Sequence, residues 1–261
     1  MKVRLQYRFL FKLLAFIAVL ALLLGGVHQW QVYRNASQVL TQARKAAEAG
    51  DQVDAVRFYT QYLGLRRDSA DAQLELAEIL ARNGNFNKAF FYLEGALRID
   101  PSLTEGRKSL VKVAMELERY ADAKSNLSTE LIPQDSKNAE YYFLLGLCEN
   151  KLGEFDAAVE HLTLAVELDK QKPIYAGSLA ELLRDRMNRA SDGRVVLDTL
   201  VSQVPEDPEA FLTRGRWLLA QSREMATADN SVREKLLENA WQDAQTANRL
   251  APDRSDRKSV V

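Results

Sequence analysis

Catalysis needs side chains that ionise, coordinate a metal or attack a substrate, held beside a partner that tunes them. This chain offers few. Its two histidines, His28 and His161, stand far apart, with no second imidazole at helical spacing to share a zinc ion. Cys148 is the single cysteine, which excludes an intramolecular disulfide and a cysteine metal cluster. On a packing helix face its thiol is expected to be inert. There is no glycine-rich phosphate loop, G-x-S-x-G elbow or H-E-x-x-H pair. Acidic residues are plentiful, but they spread along polar helix faces, where solvation is the default. The reading is a protein with no catalytic residues, no metal ligands and no cofactor, and therefore not an enzyme.

The composition describes a folding chain: 47% of its 261 residues are hydrophobic and 27% charged, with only 12 glycines and 6 prolines to interrupt helices. Net charge is −1, but Lys2, Arg4, Arg8 and Lys12 precede any acid, so the remainder carries about −5. A mildly acidic body lacks the basic stripe that displaces counterions from nucleic acid, and a nucleic-acid partner is not expected.

Residues 9–27 form an almost unbroken apolar run, with Lys12 as its one charge. A helix of that length roughly matches a hydrocarbon thickness of about 30 Å. Tyr7 on one side and Trp30 and Tyr33 on the other suit interfacial belts. The sequence therefore predicts a short basic cytoplasmic segment (1–8), a transmembrane signal-anchor (9–27) and a juxtamembrane linker (28–35). The excess of Lys and Arg before the span places the body outside the cytoplasm, in the periplasm of a bacterial inner membrane. A cleaved signal peptide is the alternative, but the run 24–28 offers no clean small-x-small site.

Beyond the run an internal period emerges. Ala55, Ala89 and Ala123 are 34 residues apart and Ala158 follows after 35; Leu63, Leu97, Leu131 and Val166 keep the same spacings. Gly50 and Gly84 are also 34 apart, with Gly153 continuing the series, and Phe86, Tyr120 and Phe155 run alongside. Each period reads as two helices. Around residues 76–101, the first helix turns at Asn83-Gly84, where glycine permits positive φ, and Pro101 closes the second. Ala77, Ala89 and Ala96 let helix axes approach, while Leu76, Leu80, Leu93 and Leu97 fill the gaps. One hairpin cannot bury its apolar face alone, so neighbours must stack.

These features resemble the tetratricopeptide repeat family. The resemblance implies an all-α fold, a right-handed α-solenoid of helix-turn-helix hairpins preceded by one transmembrane helix. About six units span 36–253: 36–69, 70–103, 104–137, 139–172, 173–207 and 208–253. Unit 70–103 matches the family pattern most fully, and 139–172 matches at Tyr142, Leu145-Gly146, Gly153, Phe155, Ala158 and Ala165, with Lys170 at the proline position. Unit 36–69 departs at Gln42 and Tyr62. In unit 104–137 Glu118 replaces the turn glycine and Glu130 stands where a small residue belongs, leaving the end of that second helix in question. In the last unit Gly215 and Ala240 are 25 residues apart where the pattern expects about 12, so 225–238 is expected to lengthen a helix or form a loop. Residues 254–261 are expected to be a non-native or truncated tail, because the last six match the in-frame translation of a common sequencing-adapter start.

In that family the concave groove is lined by the first helix of each unit. Carried over, its protein-binding residues are Leu74, Glu78 and Arg82, then Lys108, Lys112 and Glu116, then Phe143, Leu147, Asn150 and Lys151. Leu40 and Arg44 stand where the family's chaperone-tail clamp has Lys and Asn, so that ligand is not implied. The expected function is a membrane-anchored protein–protein interaction scaffold of the cell envelope, with a protein or peptide in the groove. Alternatives are the N-terminal repeat region of a truncated larger enzyme of glycosyltransferase or peptidase type, an envelope assembly factor, or a scaffold that self-associates.

Overall fold

The computed structural model describes residues 7–224 and 230–252; within the first helix, side chains are described at 11, 14, 16–20 and 23 and from 34 onward. Among the described residues the chain is all helix: α1 (Tyr7–Glu48), α2 (Gln52–Leu65), α3 (Ala70–Arg82), α4 (Phe86–Ile99), α5 (Thr104–Glu116), α6 (Tyr120–Asn126), a π turn (Leu127–Leu131), α7 (Ile132–Gln134), α8 (Ala139–Leu152), α9 (Phe155–Leu168), α10 (Pro173–Asp185), α11 (Ala190–Gln203), α12 (Pro208–Glu224) and α13 (Asn230–Leu250). Two compact units divide within α5, Met1–Val113 and Ala114–Val261.

α1 runs unbroken through residues 28–35, which were expected to be a linker. Nothing between 28 and 48 breaks a helix: there is no proline and no glycine. Among the described residues no helix is long and apolar enough to cross a membrane. The expected span 9–27 lies only partly among residues whose side chains are described, so the predicted transmembrane helix is not found there. The large apolar side chains that are described along it, Phe11, Leu14, Phe16, Ile17, Val19, Leu20 and Leu23, are all exposed.

In the first unit the C-terminal part of α1 packs on α2, α2 on α3 and α3 on α4. The small and large residues assigned to this packing, Ala77, Ala89 and Ala96 with Leu76, Leu80, Leu93 and Leu97, are all buried. Tyr62, which breaks the family's small-residue pattern, is nonetheless buried. Asp51 and Ser69 cap α2 and α3 by accepting bonds from the Asp54 and Ala72 N–H groups. In the second unit α8 pairs with α9, α10 with α11, and α12 with α13. One cluster there gathers Phe143, Leu162, Tyr175, Leu179 and Leu183, with the Phe143 and Tyr175 rings 4.6 Å apart. Another gathers Ala180, Leu197, Leu200, Trp217 and Leu218.

The hairpin turns share one geometry. Asn85 N–H reaches Leu80 O at 2.8 Å, Arg119 N–H reaches Ala114 O at 2.8 Å and Glu154 N–H reaches Glu149 O at 2.9 Å, each a bond five residues back across a left-handed residue. Gly84 and Gly153 supply that residue at φ +73° and +81°. Glu118 takes the same place at φ 56°, despite carrying a Cβ. Asn188, at φ 53°, does so in a turn one residue longer, where Arg189 N–H reaches Leu183 O, six residues back. Because a Cβ in this region costs about 1–2 kcal/mol, part of which glycine's larger unfolded-state freedom offsets, Glu118→Gly is expected to stabilise the protein by about 0.5–1 kcal/mol. A raised urea midpoint at unchanged slope is the expected reading.

The uncertain end of the third unit's second helix proves to be a π turn. Ile132 N–H donates to Leu127 O, five residues back instead of four. Leu127 and Leu131 stay buried while Glu130 lies at the half-buried edge. The turn absorbs the one extra residue by which the period lengthens between Ala123 and Ala158. In the last unit both helices lengthen, α12 to 17 residues and α13 to 21, flanking 225–229, which lie outside the described residues. The tail 254–261 also lies outside them.

Candidate functional site

The groove residues carried over from the family fall on the first helices of their hairpins, and the structure sorts them by exposure. Glu78 and Arg82 on α3 and Lys112 on α5 are exposed, while Leu74 and Lys108 are half-buried in the first unit. Lys108 Nζ lies 2.8 Å from Glu105 Oε1. Crowding by neighbouring atoms raises the Glu78 carboxyl above its usual range; Arg82 opposes that rise, and Glu75 and Glu105 add to it. In the second unit Glu116 and Lys151 are exposed, and Asn150 and Leu147 half-buried. Phe143 faces inward: it is 8% exposed and packs in the core on Tyr175, so its ring is not offered to a partner.

The second unit also holds a cleft of about 490 Å³ between α10 and α12, which the sequence reading did not reach. Ile174, 58% exposed, stands at one end. Glu181, Glu209 and Arg216 supply charge, and Thr213 approaches so closely that a Cβ on Gly177 would lie 2.8 Å from its methyl group. Burial raises the Glu181 carboxyl, with Arg184 opposing and Asp185 reinforcing the shift. Ile174 and Glu181 occupy the second and ninth places counted from Pro173, and Glu209 and Arg216 the same places counted from Pro208. Counting each unit from its opening proline would have found them.

The residues that first invite a chemical reading pair with one another. Glu149, only 2% exposed, lies 2.7 Å from His161 Nδ1 and 3.8 Å from Lys124 Nζ. Lys124 in turn pairs with Glu154, whose hydrogen bond raises the lysine pKa. His161 also stacks on Tyr142. His28 lies outside the described side chains. Among the described residues no group of three or more His, Cys, Asp or Glu is placed to hold a metal ion.

Cys148 is fully buried, and burial pushes its thiol up to about 12, with Glu149 adding to the shift and Lys124 opposing it. Folded protein is therefore expected to resist iodoacetamide at pH 8 and to label fully once denatured, as read by mass spectrometry. Rapid labelling of the native state would contradict the burial.

A family profile for the tetratricopeptide repeat matches residues 40–103 and 109–173. The chain carries tetratricopeptide repeats. Its helical hairpins are similar to those of MamA from Desulfovibrio magneticus RS-1, with a TM-score of 0.59 at 17% identity over 64% of this chain and 93% of that one. Another MamA crystal structure gives 0.61 at 18% identity, over 66% of this chain and 92% of that one. At such identity the likeness is one of fold. Among curated proteins none matches this chain. Helical hairpins continue beyond the matched segments, through α10–α11 and α12–α13.

Proposed function

We propose that this tetratricopeptide-repeat protein is a membrane-anchored binding scaffold of a bacterial cell envelope, holding a protein or peptide partner against the first helices of its hairpins and acting by binding instead of catalysis. The observation that carries the reading is the α10–α12 cleft, where an exposed Ile174 stands beside Glu181 and Arg216. An apolar anchor flanked by charges of both signs suits a peptide segment, whose side chains supply one and whose polar groups answer the other. Anchoring is supported by the apolar run 9–27, by its exposed side chains along α1 and by the basic residues before it. Tethering would raise the partner's effective concentration at the membrane.

A photo-crosslinking residue placed at Ile174 in the full chain, in its native membrane, is expected to capture a discrete partner. The same residue at Val195, 64% exposed on α11, serves as the comparison. Equal capture from both positions, or none from Ile174, would overturn the groove reading. Extraction at alkaline pH tests the anchor, because an integral chain stays with the membrane.

A second reading, self-association, is favoured by α13, where Leu237 and the half-exposed Trp241, one turn apart on the same face, are both open to solvent. Trp241→Lys is expected to abolish any concentration-dependent growth in particle size. An unchanged particle at all concentrations removes that reading.

A further inference from the structure

The first unit carries a second surface, walled by the second helices of two hairpins, with Gln73, Leu76 and Leu80 of α3 in its lining, and sharing no lining residue with Leu74, Glu78 or Arg82. Between α2 and α4 lies a cleft of about 490 Å³ that shares Thr60, Phe91 and Tyr92 with a neighbouring cleft of about 380 Å³. Phe91 stands at their junction, 67% exposed, its ring edge-on to Tyr92 at 5.4 Å. Ile99, 43% exposed, extends the apolar strip at one end.

The charges around that strip are of one sign. Arg67 and Arg98 line one end and Lys88 the other, and neither cleft has a carboxylate in its lining. All three are exposed, and among the described residues none of their cationic groups is engaged in an ion pair. That contrasts with the arginines nearby, since Arg44 is paired with Glu75 at 2.7 Å and Arg66 with Asp68 at 3.1 Å. In a body of net charge about −5, three uncompensated cations beside an exposed aromatic ring are an unusual concentration. Two guanidinium forks are suited to carboxylates, which they can grip through two parallel bonds. The ring between the cations is suited to an aliphatic or aromatic side chain.

We propose that the α2–α4 cleft is a second binding site, for a short acidic peptide segment: carboxylates meet Arg67, Arg98 and Lys88, and an apolar side chain between them packs on Phe91 and Tyr92. Like-charged partners are repelled from the same surface, so the site selects by charge as well as shape.

The test uses the full chain in detergent and fluorescent peptides of about a dozen residues, each bearing Leu or Phe among Asp and Glu, with Lys-substituted counterparts. The acidic peptides are expected to raise the anisotropy saturably, and the basic ones not to. The double variant Arg67→Glu, Arg98→Glu is expected to weaken binding at least tenfold, and Phe91→Ala to weaken it by a similar factor. Gly64 offers a steric variant, because a Cβ there meets nothing within 4 Å. Gly64→Leu is expected to fill the cleft, leave the helical signal unchanged and block the peptide. A variant at Ile174, in the other unit, should leave this binding untouched, which separates failure here from failure of the first-helix groove. Absence of binding by every acidic peptide, or binding indifferent to all three α2–α4 variants, overturns the proposal. So does saturable binding of glycerol 3-phosphate through the same arginines with no peptide binding, which would assign the cations to lipid headgroups.

Discussion

Gly193→Ala is expected to cost the second unit about 3 kcal/mol, although alanine is the better helix former. A Cβ at this point of α11 would lie 2.8 Å from the Ala180 carbonyl oxygen, 3.1 Å from Trp217 Cζ2 and 3.3 Å from Ala180 Cα. Two of those atoms are backbone and the third belongs to a ring that is 2% exposed, so no flexible side chain can yield. The crowded oxygen is also the acceptor for Trp217 Nε1 at 3.0 Å. Moving α11 outward opens voids around Leu197 and Leu200, whereas moving α10 breaks the indole bond. Overpacking costs about 1–3 kcal/mol, and a buried N–H left without its acceptor costs about 1–3 kcal/mol. The gain in helix propensity returns only about 1 kcal/mol. Gly64→Ala, where the added carbon meets open space, provides the contrast and is expected to stabilise by up to about 1 kcal/mol. Urea unfolding followed by circular dichroism checks both. A loss below about 1 kcal/mol for Gly193→Ala would mean that the three helices slide apart more freely than their packing implies.

Arg214→Ala is expected to be at least as damaging, at about 3–5 kcal/mol. Arg214 grips Asp243 through two bonds, Nε to Oδ2 at 2.9 Å and a terminal nitrogen to Oδ1 at 2.7 Å, and its other terminal nitrogen reaches Asp198 at 2.9 Å. Asp243 is 4% exposed on α13, so truncating the arginine strands a buried charge. Asp198 is far more exposed and keeps Arg194, 3.1 Å away. The damage thus comes from the abandoned carboxylate, more than from the lost attraction. The double variant Arg214→Met, Asp243→Leu removes both charges and is expected to recover most of the stability. If the double variant is as unstable as the single one, shape at this position matters more than charge.

The repeat was legible because its period is carried by small residues and turn formers whose roles are local. Gly84, Gly153 and Pro101 act within one hairpin, and Ala89 and Ala123 act at fixed distance from their partners. Glu118 shows the converse. Its left-handed backbone is imposed by the helices on either side, and the side chain gives no hint of it. The π turn was visible only as an anomaly, a one-residue slip in the period and a glutamate where a small residue was expected. Phe143 was misplaced for a tertiary reason. A position that lines a groove in a regular array turns into the core here, where Tyr175 comes up to meet it. The α10–α12 cleft went unread because the period loosens after residue 172, and the lengthened α12 and α13 hide the register that Pro173 and Pro208 still keep.

The unbroken α1 has a mechanical consequence. At 1.5 Å per residue its 42 residues make a rod of about 63 Å, with one end in the apolar run and the other packed on α2. A flexible leash would let the first repeat wander through a hemisphere above its attachment point. A helix with no glycine or proline from 28 to 48 narrows that freedom to a cone, and any rotation or tilt at its apolar end swings the first hairpin as a crank arm. If residues 9–27 lie in a bilayer, the first repeat is held at a set height and aimed.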